Sequence, residues 1–445
     1  MQPSKKPTRR VLAVAIAAIA TITSIQSGPA TAQPVNARLS ALVDGMYPSL
    51  EAIYKDLHAN PELSFQETRT ASKLAGEMRS IGLEVTEKVG RTGVVAVYKN
   101  GQGPTVLVRA DMDALPMEEK TGLPYASKVK AQWNGRETYV AHSCGHDIHV
   151  TNLIGTARTL VALKDQWKGT VVFIGQPAEE GGEGAKAMLE DGLFTRFPKP
   201  DVAFALHADP MPYGVIGYRS GAVSSSSDGL DIAFKGRGGH GSAPHRTIDP
   251  ITMAAHFVTD VQTVVSREKD PAEFGVVTIG SIQAGSAGNI IPDSAVLRGT
   301  VRSYKPEVRE KMLDGIRRTA QAAAAMSGAP EPSIEFKKGG SAIINDEAVV
   351  QRAVSAIKAQ LTTAKVIEVP PITASEDFSE YVNAGVPSMF FFVGVSDPKA
   401  VADASQPGGK PVPFNHSPYF APVPEPTLKL GVQAMTTAVL SVMSK

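Results

Sequence analysis

The chain has 445 residues, 42% of them hydrophobic, and its 45 basic and 44 acidic residues give a formal charge of +1. A nearly neutral chain without a basic block gives no reason to expect a nucleic acid or an anionic membrane as partner. Cys144 is the single cysteine, which excludes an internal disulfide.

The first 32 residues have the composition of a secretory signal peptide. Basic residues precede an apolar run at residues 11–22, and Ala30-Thr31-Ala32 offers a small-x-small cleavage site. No later run of 18 apolar residues occurs, so we expect a mature protein that is periplasmic or secreted and free of the membrane. Arg9 and Arg10 also resemble a twin-arginine export signal, and the sequence leaves both export routes open.

Apolar, β-branched-rich runs separated by helix-like segments predict an α/β fold. Strands are predicted at residues 93–98, 105–109, 170–174, 202–206 and 389–393, and helices at residues 67–80 and 152–163. Such nearly continuous apolar strands are typical of a sheet that is covered on both faces.

Residues 141–149 combine the only cysteine with three of the nine histidines. Cys144 and His146 are separated by one residue, so a tight turn at Gly145 can direct a thiolate and an imidazole at one metal ion. A C-x-H pair alone fits a buried free thiol equally well. The metal hypothesis therefore depends on ligands elsewhere in the chain.

Polar residues follow three of the predicted strands at their carboxyl ends, which is where open α/β sheets build their sites. They are Asp111 and Asp113 after residues 105–109, Glu179 and Glu180 after residues 170–174, and His207 after residues 202–206. Neighbouring glutamates in an extended turn are expected to point in different directions, so that one binds metal and the other carries protons. Both features also have an interpretation without metal or catalysis. The two glutamates can stabilise the first turn of a following helix, and His207 can be hydrogen-bonded to the backbone at the end of its strand.

Residues 226–338 predict a second domain inserted into the first, which would comprise residues 33–225 and 339–445. The predicted order is β-α-β-β-α-β, the ferredoxin-like arrangement, with strands at residues 230–235, 275–283, 295–303 and 333–337 and helices at residues 249–266 and 306–326. Residues 236–241 spell G-x-G-x-x-G, but no further β-α-β unit follows, which argues against dinucleotide binding.

Seven motifs in order resemble the metal-dependent amidohydrolase and carboxypeptidase family of hippurate hydrolases, N-acyl-amino-acid aminoacylases and auxin-conjugate hydrolases. They lie at residues 109–117, 121–127, 142–147, 176–182, 238–245, 289–293 and 375–378. The resemblance implies a mixed-sheet, zinc-peptidase-like catalytic domain with an inserted ferredoxin-like lid domain that also forms a homodimer. It is specific for the family and weakly specific for the substrate.

The resemblance also implies residue roles. Two divalent ions (zinc, manganese, cobalt or nickel) would be held by Cys144, His146, Glu180, His207 and His416. Glu179 would be the catalytic acid and base, and Asp113 would hold a ligand in place. His240, Asn289 and Arg302 would bind the substrate, with His240 reaching a partner's site. Broader relatives have a ligand histidine where this chain has Asp111, whose role stays open.

The leading hypothesis is an exported dinuclear-metal hydrolase that cleaves N-acyl-amino acids or short peptides beside a free carboxylate. The alternatives are a metal-free cysteine hydrolase that uses Cys144 and a non-catalytic exported binding protein on the same scaffold.

Overall fold

The computed structural model describes residues 35–444. The predicted signal peptide, residues 1–32, lies outside the described residues. Within the described part, none of the helices combines the length and apolarity that crossing a membrane requires.

The strands are, in chain order, β1 (Glu84–Val89), β2 (Gly93–Asn100), β3 (Thr105–Asp111), β4 (Lys130–Trp133), β5 (Arg136–Tyr139), β6 (Gly169–Gln176), β7 (Val202–Pro212), β8 (Val215–Tyr218), β9 (Gly221–Ala222), β10 (Asp228–Lys235), β11 (Gly239–His240), β12 (Gly275–Ala284), β13 (Ile290–Ile291), β14 (Ser294–Ser303), β15 (Ser333–Lys338), β16 (Ile344–Asn345), β17 (Lys365–Glu368) and β18 (Ser388–Ser396).

The α-helices are α1 (Val35–Ala59), α2 (Thr68–Ser80), α3 (His146–Ala162), α4 (Gly184–Glu190), α5 (Leu193–Arg196), α6 (Pro250–Asp260), α7 (Pro306–Met326), α8 (Glu347–Gln360), α9 (Ser379–Asn383), α10 (Pro398–Ala404) and α11 (Pro424–Met443).

The large sheet has eight strands in the order β1-β2-β6-β3-β7-β18-β8-β17, and it is mixed. In its centre β3 runs parallel to both β6 and β7, and β18 runs parallel to β7. Alternate residues of β3 enter different hydrophobic clusters, Val106 and Val108 on one face and Leu107 on the other. The expected sheet with two covered faces is confirmed, and it explains why every residue of β18 is buried.

A second sheet has four antiparallel strands in the order β12-β14-β10-β15. With α6 and α7, the chain order is the expected β-α-β-β-α-β, and the spatial order is the ferredoxin-like one. This sheet has its own apolar cluster, in which Leu230 and Phe234 of β10 meet Phe257 of α6 and Ile316 of α7. The limits of an inserted domain at residues 226 and 338 stay a prediction.

Three element boundaries differ substantially from the sequence-based expectations, and the others differ by at most three residues. Helix α3 begins at His146 and not at residue 152, because Gly145 turns the chain directly into it with φ +89°. Strand β7 continues to Pro212, because it pairs with the long strand β18, so His207 lies inside the strand and not beyond its end. The helix expected at residues 249–266 is α-helical only to Asp260, and a π-helical turn follows at Val264–Glu268.

Candidate metal centre

The sequence-predicted ligands meet at the carboxyl ends of the central parallel strands. Asp111 ends β3 and lies opposite Gln176, which ends β6, and His207 lies on the neighbouring strand β7. These strands therefore bring together side chains that are 31 to 96 residues apart, as the sequence pattern predicted.

Potential ligand atoms form overlapping groups, within each of which all atoms lie at most 4.8 Å apart. The groups are Cys144, Glu180 and His416; His146, Glu179 and Glu180; Asp111, His146, His149 and His207; and Asp111, Glu179 and Glu376. Cys144 Sγ lies 3.6 Å from His207 Nε2, and His416 Nε2 lies 3.3 Å from a Glu180 oxygen. All five predicted metal ligands thus belong to one continuous cluster.

The donor atoms of this cluster fit divalent metal ions. His146 Nε2 and Glu180 Oε1 are buried and have no hydrogen-bond partner within residues 35–444. Buried polar atoms without a partner are costly, and a metal ion would satisfy both. Thiolate, imidazole and carboxylate together are donors that zinc and its first-row neighbours accept.

In two of the candidate histidine ligands, a backbone carbonyl holds the ring nitrogen that points away from the cluster. His146 Nδ1 donates to Asp113 O at 2.8 Å, and His207 Nδ1 donates to Ala208 O at 2.8 Å. Because a carbonyl only accepts, each Nδ1 carries a proton and each Nε2 faces the cluster. Such orientation is typical of metal-binding histidines.

Gly145 makes the C-x-H turn possible. It has a left-handed φ, and a Cβ at this position would lie 2.8 Å from the Ala208 side chain. The turn also anchors the segment that carries His416. Asn415 Nδ2 donates to the carbonyls of Cys144 and Ala208, each at 3.1 Å, and the His416 amide donates to Ser143 O at 2.8 Å.

Cys144 itself is buried, and burial raises the pKa of its thiol. A thiol whose pKa is raised is a poor nucleophile in the absence of a metal ion. This environment argues against the metal-free cysteine hydrolase.

Asp113 fixes both glutamates through their backbone. Its carboxylate accepts the amides of Glu179 at 3.0 Å and Glu180 at 3.1 Å, and it also accepts the Ser64 hydroxyl at 2.6 Å. The two glutamate side chains do not diverge as expected, because each places an oxygen 3.9 Å from His146 Nε2. The expected divergence of the two side chains was wrong. The backbone is not extended here, because Ala178, directly before Glu179, has φ +48° and turns the chain sharply.

Glu67, which was not predicted from the sequence, supports this turn through hydrogen bonds. Its fully buried carboxylate accepts the amides of Phe65 at 2.9 Å and Ala178 at 2.8 Å and the hydroxyl of Thr92 at 2.5 Å. Phe65 and Ala178 are both non-glycine residues with left-handed φ, so one oxygen stabilises two strained positions. An acid at the first residue of a predicted helix resembles an ordinary helix start, and no local signal indicated the contact with Ala178, which is 111 residues away.

We expect Glu67→Gln to change how stability depends on pH. Burial and the nearby Asp113 raise the pKa of Glu67 from 4.5 to about 7. Between these values the folded protein binds more protons than the unfolded chain, so the Glu67 contribution to the unfolding free energy falls by about 3 kcal/mol as pH rises from 4.5 to 7. Denaturant unfolding of both proteins across this range checks it: the wild type loses stability relative to the Gln variant. The exposed Glu84→Gln is the control, and parallel pH curves for Glu67→Gln and wild type would contradict the expectation.

Asp111, whose role the sequence left open, forms a second feature of the site together with His149. Asp111 Oδ2 accepts from the fully buried Arg109 at 2.6 Å, and Oδ1 accepts from His149 Nδ1 at 2.5 Å. His149 Nε2 accepts the Ala208 amide at 2.8 Å. Both nitrogens of His149 and both oxygens of Asp111 therefore have protein partners, and the pair holds β3 against β7 beside His207.

Arg109 continues this network across the site. It donates to Glu376 at 2.7 Å and to Asp377 at 3.2 Å, so it neutralises carboxylates that would otherwise crowd the cluster. This contact assigns a structural partner to the Glu376-Asp377 motif.

The three predicted substrate-binding residues fall into two places. Arg302, on β14, lines a cavity of about 800 Å³ together with Cys144, Glu179, Glu180, His207 and His416. Its buried Nη1 has no partner within the described residues. His240 and Asn289 are exposed and do not line this cavity; they adjoin one another where β11 pairs with β13.

Comparisons with known proteins agree on one family. The model of peptidase family M20/M25/M40 matches residues 107–408. The chain is 38% identical to thermostable carboxypeptidase 2 of Saccharolobus solfataricus over 86% of this chain and 92% of that protein, and 41% identical to hippurate hydrolase of Campylobacter jejuni over 74% and 83%. A solved structure from Bacillus subtilis, described as a dinuclear metal binding peptidase from the M20 family, is 32% identical, with a TM-score of 0.74 over 89% of this chain and 98% of that one.

Proposed function

Because the chain belongs to peptidase family M20/M25/M40 and is a metal-dependent hydrolase, we propose that it is an exported enzyme that cleaves the amide bond of N-acyl-amino acids or short peptides next to a free carboxylate. The observation that carries this proposal is one cavity that joins four of the five proposed metal ligands, the largely buried Glu179 and an arginine with a free buried nitrogen.

Two divalent ions, zinc, manganese, cobalt or nickel, would be held by Cys144, His146, Glu180, His207 and His416. When bound, such ions lower the pKa of water and polarise an amide carbonyl. The thiolate, three imidazoles and a carboxylate would supply five donors to these ions, and Glu180 belongs to two of the ligand groups.

Glu179 performs the proton transfers in this proposal. Burial, together with the carboxylates of Glu376 and Glu180, raises the pKa of Glu179. A carboxylate with a raised pKa accepts the proton of the attacking water readily and then donates it to the departing amine. Asp113 keeps Glu179 in place, because it holds the Glu179 amide.

Arg302 binds the free carboxylate of the substrate. A guanidinium pairs with a carboxylate through two parallel hydrogen bonds, and Nη1 of Arg302 is buried without a partner. The other groups proposed to bind substrate, His240 and Asn289, would come from a second subunit, which agrees with their positions outside the cavity of their own chain.

The proposed homodimer would form through the four-stranded sheet. β12 is an edge strand of this sheet, and it exposes Val276 and Ile282. Mixing inactive Glu179→Gln and His240→Ala proteins tests the arrangement, since a mixed dimer unites an intact Glu179 site with an intact His240. Recovered activity supports it, and a monomer in sedimentation would contradict it.

Export remains part of the proposal through residues 1–32. The N-terminus of protein taken from a periplasmic fraction would begin at Gln33. A chain that keeps Met1 and stays with cytosolic proteins would contradict export.

The substrate proposal is tested with a panel of amides. Amine release is measured for N-acetyl-, N-benzoyl- and aminoacyl-amino acids and for matched amides whose carboxylate is blocked. Turnover only with a free carboxylate supports the proposal, and equal turnover of blocked substrates would contradict the role of Arg302.

A further inference from the structure

Asp209 places a carboxylate in the wall of the cavity beside the candidate metal centre. It lies on β7 two residues after His207, so both side chains are on the same face of the strand. Both residues line the cavity of about 800 Å³. No role was predicted for Asp209 from the sequence.

The Asp209 carboxylate has no cationic partner. Its Oδ1 accepts the Met211 amide at 3.0 Å, and no lysine, arginine or histidine nitrogen of residues 35–444 pairs with it. A largely buried carboxylate without a counter-charge is costly, and a bound cation would remove that cost.

The other acids that line the cavity already have partners or roles. Glu376 and Asp377 accept from Arg109, Glu180 belongs to two ligand groups, and Glu179 is the proposed base. Asp209 is the remaining acid of the cavity wall. The remaining wall is largely apolar, with Phe390, Phe392 and Phe414 among its residues. It therefore offers few other partners to a charged group of the substrate.

The unpaired charges of the cavity are complementary to a zwitterion. Arg302 offers a buried nitrogen to an anion, and Asp209 offers an oxygen to a cation. An N-acetyl- or N-benzoyl-amino acid satisfies only Arg302. An unblocked short peptide carries a carboxylate for Arg302 and an ammonium group for Asp209.

We propose that Asp209 binds an ammonium group on the acyl side of the scissile amide, which makes unblocked dipeptides and similar aminoacyl compounds the preferred substrates. This inference rests on the proposed function, because it assigns the substrate class of the same site. By this preference the enzyme would differ from a hydrolase that is selective for neutral acyl groups.

The test compares two substrates that differ in one group. Alanyl-leucine has an ammonium group where isobutyryl-leucine has a methyl group, so the pair isolates the charge. For wild type, kcat/KM is expected to favour alanyl-leucine. Asp209→Asn is expected to lower kcat/KM for alanyl-leucine about 10- to 100-fold, mainly through KM, and to leave isobutyryl-leucine unchanged. Asp201→Asn, at the other end of β7 and exposed, is the matched control.

The outcomes separate this inference from the proposed function. An equal loss on both substrates, or no change on either, would overturn the role of Asp209 while the hydrolase stands. If wild type cleaves neither compound, the proposed function fails for this substrate class. Calorimetry of both compounds with Glu179→Gln protein still decides the charge question: tighter binding of alanyl-leucine that Asp209→Asn abolishes supports it, and equal binding contradicts it.

Discussion

Glu179→Gln is expected to lower kcat by about 10²- to 10⁴-fold, because glutamine cannot accept the proton of the attacking water. Its backbone amide still reaches Asp113, so the turn that carries Glu180 is retained. The content of bound metal should therefore equal that of wild type. Steady-state kinetics and elemental analysis of the dialysed protein together check this expectation.

The control for this variant is Glu183→Gln, which changes an exposed acid four residues further along the chain. It should leave kcat unchanged. Full activity of the Glu179→Gln protein would exclude Glu179 as the proton carrier. If the wild type shows no turnover, and Glu179→Gln binds ligands as tightly as the wild type does, the non-catalytic binding protein is favoured.

Cys144→Ala is expected to lower both metal content and activity. Loss of an outer-shell partner of a metal ligand already costs about 10- to 100-fold in affinity or activity, so loss of a ligand should cost at least about 100-fold at limiting metal. Excess metal should restore part of the activity. Elemental analysis and kinetics over a range of metal concentrations measure both effects.

Thiol alkylation distinguishes ligand from nucleophile in the same experiment. Since Cys144 is the only cysteine, any reaction with iodoacetamide reports on this residue. As a metal ligand it should be protected in the metal-loaded protein, which keeps its activity. Rapid inactivation of the metal-loaded enzyme, with metal content unchanged in Cys144→Ala, would instead support the cysteine hydrolase.

The sequence could predict the place of the site because strand ends are local features. Apolar runs followed by Asp111 and Glu179 mark the carboxyl ends of strands, and the parallel pairing of β3 with β6 and β7 brings both residues close to His207. The Cys144 turn was also readable, since glycine between two ligand residues permits the left-handed φ that the structure has.

The supporting contacts could not be predicted, because they depend on tertiary packing. Glu67 reaches Ala178, and Arg109 reaches Glu376 across 267 residues, without any local pattern. His149 lies in the histidine-rich segment at residues 141–149, and only its two hydrogen bonds in the folded protein show it to be a support for Asp111 and Ala208. The extent of β7 depends on its partner β18, so the position of His207 within a strand could not be read from residues 202–206 alone.

Metal removal and replacement tests the central claim most directly. The mature protein would be treated with chelator, dialysed, and assayed for amine release before and after single additions of zinc, manganese, cobalt and nickel. The account predicts that activity is lost with the metal and returns with at least one of them, reaching its maximum at two equivalents per subunit. Full activity in protein shown by elemental analysis to be metal-free would contradict it.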